Sequence, residues 1–227
     1  MTNVIGTLNE KSLHADLKEW YARPGDNFEV KVDGYVIDII RSELLIEIQT
    51  SNFSALKKKL TKLIQQNHLR LVYPIAQEKW IVKLPQEVGG ETKRRKSPKR
   101  GSYADLFREL VRFPQLVLKP NFSLDVLLIL EEEVRRFEGT RGWRRRGWVT
   151  DERYLLEIVD WKRFEKPSDY ASFIPGDLPD HFTTKDLAEC TGQPRWLAQK
   201  MAYCLRKMDL INPVGNRTRS ILYERVD

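Results

Sequence analysis

The segment spanning residues 30–49 constrains the fold of this chain more than any other. It reads VKVDGYVIDIIRSELLIEIQ, in which three short apolar runs are separated by turn residues. Alternation of apolar and polar residues over positions 28–32 predicts a half-buried strand. The Asp33-Gly34 pair that follows favours a type I′ turn, because both central residues of that turn need a positive φ. Residues 35–40 and 44–49 are then predicted as the second and third strands.

Three polar side chains interrupt these apolar runs. Asp38 lies between isoleucines, and Glu47 and Gln49 share one face of the third strand because successive side chains alternate across a strand. An unpaired carboxylate is costly to bury, so each acid needs water, a cation or a hydrogen-bond partner. Two carboxylates on adjacent strands could converge on Mg²⁺, which prefers oxygen ligands and retains several waters. They could equally be solvated residues of a sheet with one wet face.

Amphipathic helices are predicted on either side of the three strands. Asn9 can cap a helix that runs to about residue 22, and Glu10 falls on the apolar stripe of this helix. Glu10 would therefore point along the sheet toward the same cation, or it is a first-turn glutamate favoured by the helix dipole. After the strands, apolar residues from Phe53 to Ile64 predict a second helix with a lysine-rich outer face. Residues 69–75 then predict a fourth strand, and such a crossover favours parallel pairing. Residues 77–84 predict one more strand.

The order helix, three strands, helix, strand resembles the PD-(D/E)xK nuclease superfamily, also called restriction-endonuclease-like. The matching residues are Asp38 on the second strand, Glu47-Ile48-Gln49 on the third, and Glu10 on the first helix, within about residues 5–85. The resemblance implies that Asp38, Glu47 and Glu10 hold Mg²⁺ or Mn²⁺ and that Gln49 positions water or phosphate. Gln49 departs from the pattern, which usually has lysine at this position, and glutamine can hydrogen-bond but brings no charge.

The implied activity is metal-dependent endonucleolytic hydrolysis of phosphodiester bonds in DNA. The alternative, which Gln49 favours, is a DNA-binding accessory or regulatory protein that keeps the nuclease fold without its activity. The chain has 39 basic and 32 acidic residues, a net charge of +7, which favours a polyanionic partner. Lys57 and Lys58 on the second helix could approach the nucleic-acid backbone, or they form a solvated face. Nucleases of this class often act as dimers, so a homodimer is one expected assembly, although the sequence shows no pattern typical of a dimer interface.

The middle of the chain is predicted to contain a linker and a helical region. Residues 89–101 have the composition of a basic linker, with glycines, a proline and six lysines or arginines. Ser102 begins a capping-box-like pattern for one helix, and Ser123 is predicted to begin another. In residues 140–148, which read TRGWRRRGW, arginines are interleaved with tryptophans. This pattern suits phosphate contact and base stacking, or it is a basic turn beside two core tryptophans. The arginines proposed to contact DNA are Arg144, Arg145 and Arg146. Residues 102–175 are thus predicted as a helical region with a basic β-hairpin, consistent with a degenerate winged helix.

Residues 176–227 resemble a winged-helix domain. A capped short helix from Thr183, a tight turn at residues 191–194, a longer helix over residues 195–207 and a basic hairpin follow one another. In winged helices the second helix of this pair enters the major groove and the wing touches the backbone. The residues expected to face DNA are Arg195, Gln199 and Lys200 on the helix, and Arg217 and Arg219 on the wing. Winged helices also bind proteins, and the net charge favours DNA here.

The predicted fold class is α/β, with a restriction-endonuclease-like mixed sheet flanked by helices over residues 1–88 and a mostly α winged-helix region at the end. Residues 1–8 lack the basic start and apolar core of a secretory signal. No apolar run approaches the ~20 residues of a spanning helix. Cys190 and Cys204 form no CxxC pattern and fall inside predicted helices, which favours buried thiols. We therefore expect a cytoplasmic protein without a membrane partner.

Overall fold

The computed structural model of the chain describes residues 12–87, 90–139 and 145–226. These residues form a seven-stranded mixed sheet, with helices packed on its two faces, and a separate three-stranded sheet near the C-terminus. In chain order the elements are α1 (Ser12–Tyr21), β1 (Asn27–Val32), β2 (Tyr35–Arg41), β3 (Leu44–Ile48), α2 (Phe53–Leu63), β4 (His68–Lys83), β5 (Lys93–Lys96), α3 (Phe107–Leu110), β6 (Phe122–Phe137), β7 (Trp148–Phe164), β8 (His181–Phe182), α4 (Thr184–Thr191), α5 (Arg195–Lys207), β9 (Ile211–Arg217) and β10 (Ser220–Arg225).

The large sheet has the strand order β1-β2-β3-β4-β6-β7, and β5 pairs with part of β4. β1, β2 and β3 are antiparallel neighbours, β3, β4 and β6 run parallel, and β7 returns antiparallel to β6. The turn between β1 and β2 has φ values of 50° at Asp33 and 87° at Gly34, as the Asp-Gly pair predicts. The first three predicted strands and the parallel crossover through α2 are therefore confirmed.

Two clusters of buried side chains hold helices against opposite faces of this sheet. Leu13 and Leu17 of α1 pack in one cluster with Ile46 of β3, whereas Leu45, its neighbour on β3, belongs to a larger cluster with α2. Because neighbouring side chains on a strand point to opposite faces, α1 and α2 cover different sides of the sheet. The spacing of Leu13, Leu17 and Trp20 predicts that all three lie on the buried stripe of α1, but Trp20 is 47% exposed, so that part of the prediction is wrong.

The predicted helix beginning at Ser123 is also wrong, because this segment is the central strand β6. Leu124 and Leu128 are buried on one face of β6 and Leu127 on the other. A strand that is covered on both faces reads as a nearly continuous apolar run, which also matches helical spacing. The predicted strands at residues 69–75 and 77–84 are one strand, β4, with a bulge between Ala76 and Glu78.

The large sheet crosses the boundary predicted at residue 88. β6 and β7 pair with β4 and with each other, so residues 102–175 are not a separate helical region. The predicted linker contains β5, which pairs antiparallel with β4. The capping box at Ser102 is present, but it opens a short 3-10 helix, Tyr103–Leu106, that leads into the single turn of α3.

The C-terminal residues fold into two helices and a three-stranded sheet of order β8-β10-β9. α5 spans the predicted residues and buries Cys204, also as predicted, together with Leu197, Met201 and Leu205. Its buried side packs against α3 of the preceding segment. Cys190, predicted to be buried, is exposed because it lies on the outer side of α4. Within the described ranges, no helix is long and apolar enough to cross a membrane.

Candidate active site

Two acidic side chains meet where β2 and β3 stop pairing. The antiparallel register of these strands ends at the pair Ile39 and Ile46. The next residue of each strand is an acid, Asp38 on β2 and Glu47 on β3. The main-chain N–H of Ile48 donates a hydrogen bond to Oδ2 of Asp38 at 2.7 Å. The Asp38 carboxylate thus accepts from the backbone of β3 at the end of the paired region and is fixed beside it.

Asp38 is held in its ionised form by its neighbours. Nε2 of His14, on α1, lies 3.3 Å from Oδ2 of Asp38. Burial alone would raise the pKa of Asp38, but the hydrogen bond and charge of His14 and the bond from the Ile48 N–H lower it below its ordinary value. This side chain is therefore an anion in the folded protein at neutral pH.

Glu47 lies in a different electrostatic environment from Asp38. It is 6% exposed, and Oε1 lies 2.5 Å from the Nζ atom of Lys59 on α2. Lys59 also donates to the main-chain oxygen of Val36 at 2.6 Å, which fixes its position. Burial and the charge of Asp38 raise the pKa of Glu47 to about 7, although Lys59 opposes this rise. Two neighbouring carboxylates therefore share a poorly solvated site in which a further cation would be stabilised.

The donor set of Asp38 and Glu47 fits a divalent cation. Oε2 of Glu47 is buried and has no hydrogen-bond partner among the described residues. A buried carboxylate oxygen of this kind needs a donor or a cation, and Mg²⁺ is commonly held through one or two carboxylates together with waters. No group of three or more His, Cys, Asp or Glu side chains that could hold a metal occurs in the described part of the chain. Glu10, the predicted third ligand, lies outside the described residues.

The Gln49 side chain is engaged by the turn that precedes α2. Its Nε2 donates to the main-chain oxygen of Ser51 and lies 3.5 Å from that of Asn52. The positive charge beside the carboxylates comes instead from Lys59. The lysine-rich face of α2 was recognisable in the sequence, but Lys57 and Lys58 on that face are exposed and Lys59 is the one that reaches Glu47.

His14, like Lys59, is a site residue that the sequence analysis did not predict. It follows Glu10 by four residues, a spacing that places two side chains on the same face of a helix. This spacing from Glu10, a predicted metal ligand, is the feature of the sequence that could have indicated His14 as a site residue. The nearness of His14 to Asp38 itself depends on how α1 crosses the sheet, which the pattern of residues does not specify.

Of the arginines near β7 that were predicted to contact DNA, one is exposed and another is already hydrogen-bonded within the protein. Arg145 donates to Oε1 of Glu133 at 3.2 Å and to Oγ1 of Thr150 at 2.8 Å, so its guanidinium is already bound to this strand pair. Arg146 is exposed. Arg144 lies outside the described residues.

The predicted DNA contacts of the C-terminal unit likewise include exposed side chains and side chains that are bound within the protein. Arg195 and Gln199 are exposed on α5, and Arg219 is exposed at the hairpin of β9 and β10. The expectation that Lys200 faces outward is not met, because its Nζ donates to the main-chain oxygen of Arg108 at 3.1 Å where α5 packs on α3. Arg217 is exposed but binds locally, with Nη2 donating to the main-chain oxygen of His181 at 3.1 Å and Nη1 3.4 Å from Oδ2 of Asp186.

Comparison with known proteins places the chain in a family without assigning it an activity. A family model described as "Domain of unknown function (DUF8091)" matches residues 11–165, a range that contains α1 and the whole large sheet. An "Uncharacterized protein" of Treponema pallidum (strain Nichols) is 30% identical over 224 residues, which cover 97% of this chain and 87% of the relative. No solved structure matches the chain. The chain belongs to the DUF8091 family.

Proposed function

We propose that this protein is a metal-dependent DNA endonuclease that hydrolyses phosphodiester bonds. The observation that carries the proposal is the pair of neighbouring acids, the half-buried Asp38 and the buried Glu47. Oε2 of Glu47 is buried and has no hydrogen-bond partner in the described part of the chain. A mixed sheet flanked by helices, with these acids on its second and third strands, agrees with the restriction-endonuclease-like resemblance. A protein that only bound DNA would gain nothing from carboxylates next to phosphates, since like charges repel.

The side chains divide the work of such a site. A bound Mg²⁺ or Mn²⁺ would polarise the phosphate and lower the pKa of a bound water. Asp38 and Glu47 would hold the metal, and His14 keeps Asp38 ionised and oriented. Lys59 places a positive charge 2.5 Å from Glu47 and would supply the cation that the family pattern has at the position of Gln49. Lys59, on α2, would therefore replace the lysine that the motif lacks at position 49.

The C-terminal unit is proposed to hold the DNA as a winged helix. Two helices and a three-stranded sheet of order β8-β10-β9 support this architecture. Arg195 and Gln199 on α5 and Arg219 on the hairpin are exposed and would contact the duplex. The net charge of +7 agrees with a polyanionic partner.

A second candidate is a DNA-binding accessory protein that has lost cleavage. The contacts of Gln49 favour it, because its amide donates to the Ser51 and Asn52 carbonyls instead of facing the two acids. The ion pair of Lys59 with Glu47 would then be a structural replacement for the metal. This candidate predicts DNA affinity that falls with salt, and no hydrolysis.

The deciding experiment is nicking of supercoiled plasmid by the full chain with Mg²⁺ or Mn²⁺. Asp38→Asn and Glu47→Gln keep the size of each side chain and remove its charge, and each should lower the rate by at least about 100-fold, because ligand loss removes several kcal/mol of charge stabilisation. Glu43→Gln, at an exposed turn between β2 and β3, is the matched control and should leave the rate unchanged. Cleavage that survives both site variants would overturn the assignment. DNA binding without cleavage of plasmid, linear, single-stranded or branched DNA would select the accessory protein.

A further inference from the structure

A cavity of about 350 Å³ begins one residue beyond the candidate active site. Thr50, which follows Gln49, forms one side, and residues 73–81 of β4 and 131–135 of β6 form the floor. None of Asp38, Glu47 or Lys59 lines it. Cavities of this volume are in the range that accommodates small ligands. The sheet thus carries a second recess beside the two acids.

The wall of the cavity is built by the segment that leads from β5 to α3. The N–H of Gly101 donates to the main-chain oxygens of Ala76 at 3.1 Å and of Gln77 at 3.2 Å, at the bulge of β4. A Cβ atom at residue 101 would lie 2.4 Å from the oxygen of Ala76, so this close approach requires glycine. The approach lays Ser97 and Lys99 against the cavity. A stretch with the composition of a linker therefore has a defined place in the fold.

The cavity has a surplus of positive charge. Six cationic and three acidic side chains line it, and cations exceed acids by three. The cations are Lys79, Lys99, Arg108, Arg135, Arg145 and Arg153, and the acids are Asp105, Glu131 and Glu133.

The two glutamates at the floor neutralise part of this charge. Glu131 and Glu133 are 0% and 3% exposed. Nζ of Lys79 lies 2.6 Å from Oε1 of Glu131 and 2.7 Å from Oε2 of Glu133, and Nε of Arg135 lies 2.7 Å from Oε1 of Glu133. Arg153 pairs with Glu131 through Nη2. Oε1 of Glu131 has no hydrogen bond from the described residues, and only the charge of Lys79 balances it. Buried carboxylates require cationic partners of this kind, so these ion pairs are explained by the fold.

Two donors at the cavity are not explained in this way. Nε of Arg153 is buried and has no hydrogen-bond partner among the described residues, which is unfavourable for a buried donor. Lys99 is exposed at the mouth of the cavity and forms no ion pair with any described carboxylate, whereas its neighbour Arg108 pairs with Asp105 at 3.0 Å. Burial and the charge of Arg108 lower the pKa of Lys99, and the charge of Asp105 only partly offsets this lowering. An anion with several acceptor oxygens would pair with the ammonium of Lys99 and with the guanidinium of Arg153, since both side chains line the cavity.

We propose that this cavity binds a phosphate monoester, which is either a free mononucleotide or the phosphorylated end of a nucleic-acid strand. Lys99 and Arg153 contact the phosphate oxygens, and Arg108 contributes charge from the side of α3. Binding of the monoester follows from the cavity alone. Its assignment to the end of a nucleic-acid strand rests on the proposed function, since Thr50 connects the cavity to the candidate active site.

The test measures binding to the full chain by calorimetry, with divalent metal chelated so that no cleavage occurs. The probes are inorganic phosphate, adenosine 5′-monophosphate, and a short DNA strand with either a 5′-phosphate or a 5′-hydroxyl. Lys99→Met should weaken binding of the phosphorylated probes by at least about 10-fold, since it removes a charge-assisted hydrogen bond to the phosphate. Lys119→Met, at an exposed position away from the cavity, should leave it unchanged. Gly101→Ala should weaken binding through displacement of the wall.

The outcomes separate this inference from the proposed nuclease activity. Tighter binding of the 5′-phosphorylated strand than of the hydroxyl strand and of the mononucleotide identifies a strand end as the ligand. Equal binding of the mononucleotide and the phosphorylated strand identifies a free nucleotide. No binding of any phosphorylated probe, or equal binding by the Lys99→Met variant with an unchanged circular dichroism spectrum, overturns the proposal. The plasmid assay can fail without affecting any of these readouts.

Discussion

Glu133 is a buried acid whose charge is fixed by cations on three sides. Burial alone would raise its pKa, but hydrogen bonds from Lys79 and Arg135, with their charges, lower the pKa to about 2 from the ordinary 4.5. A carboxyl group with a lowered pKa in the folded state stabilises the fold above its unfolded pKa, and this contribution is lost as the pH falls toward the folded value. The Glu133→Gln variant should therefore lose about 3 kcal/mol of stability at pH 7, as expected for one broken buried ion pair.

The pH dependence distinguishes this charge effect from a loss of packing. Urea unfolding of wild type and Glu133→Gln should give a difference in free energy that narrows as the pH falls from about 4.5 to about 2. Glu157→Gln, at an exposed position on β7, should change stability by less than about 0.5 kcal/mol at any pH. A difference for Glu133→Gln that stays constant through this window would contradict the ion-pair explanation.

Lys59 is predicted to contribute more to stability than the neighbouring exposed lysines of α2, because it pairs with the buried Glu47. Lys59→Met would leave Glu47 buried beside the charge of Asp38, and partial protonation of Glu47 would limit the cost to about 1–3 kcal/mol. Lys58→Met, one residue earlier and exposed, should cost less than about 0.5 kcal/mol. Urea unfolding of both variants compares them directly. Equal stabilities would mean that the contact with Glu47 contributes nothing to the fold.

The sequence predicts one half of the candidate site better than the other. Asp38 and Glu47 can be found because alternation along two hairpin-connected strands fixes which residues are neighbours. The partners His14 and Lys59 come from helices on opposite faces of the sheet, and His14 is 24 residues from Asp38 in the chain. Their approach depends on helix packing, and local patterns do not specify where a helix crosses a sheet.

Among the elements, the helices and the central strand β6 show why the prediction succeeds or fails. α5 is predicted over its observed residues because its apolar spacing is bounded by a turn before and a hairpin after. β6 has no turn signals within sixteen residues, and its apolar residues are buried on both faces, so period-two alternation is absent. The error at Ser123 therefore arises from the position of β6 in the middle of the sheet.

The start of α4 offers a test at the same scale. Oγ1 of Thr183 accepts hydrogen bonds from the main-chain N–H groups of Lys185 and Asp186 at 3.2 and 3.4 Å. Thr183→Ala removes this cap and should lower stability by about 1 kcal/mol. Thr183→Ser retains the hydroxyl and should restore most of that loss. Urea unfolding that shows no difference between the alanine variant and wild type would mean that the capping box does not stabilise α4.

The whole molecule is joined by one apolar cluster that spans the large sheet and the C-terminal unit. Leu197 and Met201 of α5 belong to the same buried cluster as Leu106 and Leu110, which precede β6. The hydrogen bond from Lys200 to the main-chain oxygen of Arg108 crosses the same contact. A C-terminal unit that only tethered DNA would not need to share its core with the sheet, so we expect the two parts to unfold together.

Leu205→Ala tests this coupling. Leu205 is fully buried in α5, and its truncation should cost about 2–5 kcal/mol through lost burial and a residual cavity. If folding is cooperative, native-state hydrogen exchange should show that the slowest amides of β4 and β6 lose the same protection free energy as those of α5, although the substitution lies outside the large sheet. Exposed Tyr203, truncated to alanine on the same helix, should leave the protection of β4 and β6 within about 0.5 kcal/mol of wild type. A loss confined to α4 and α5 would instead mean that the C-terminal unit opens independently of the large sheet that carries Asp38 and Glu47.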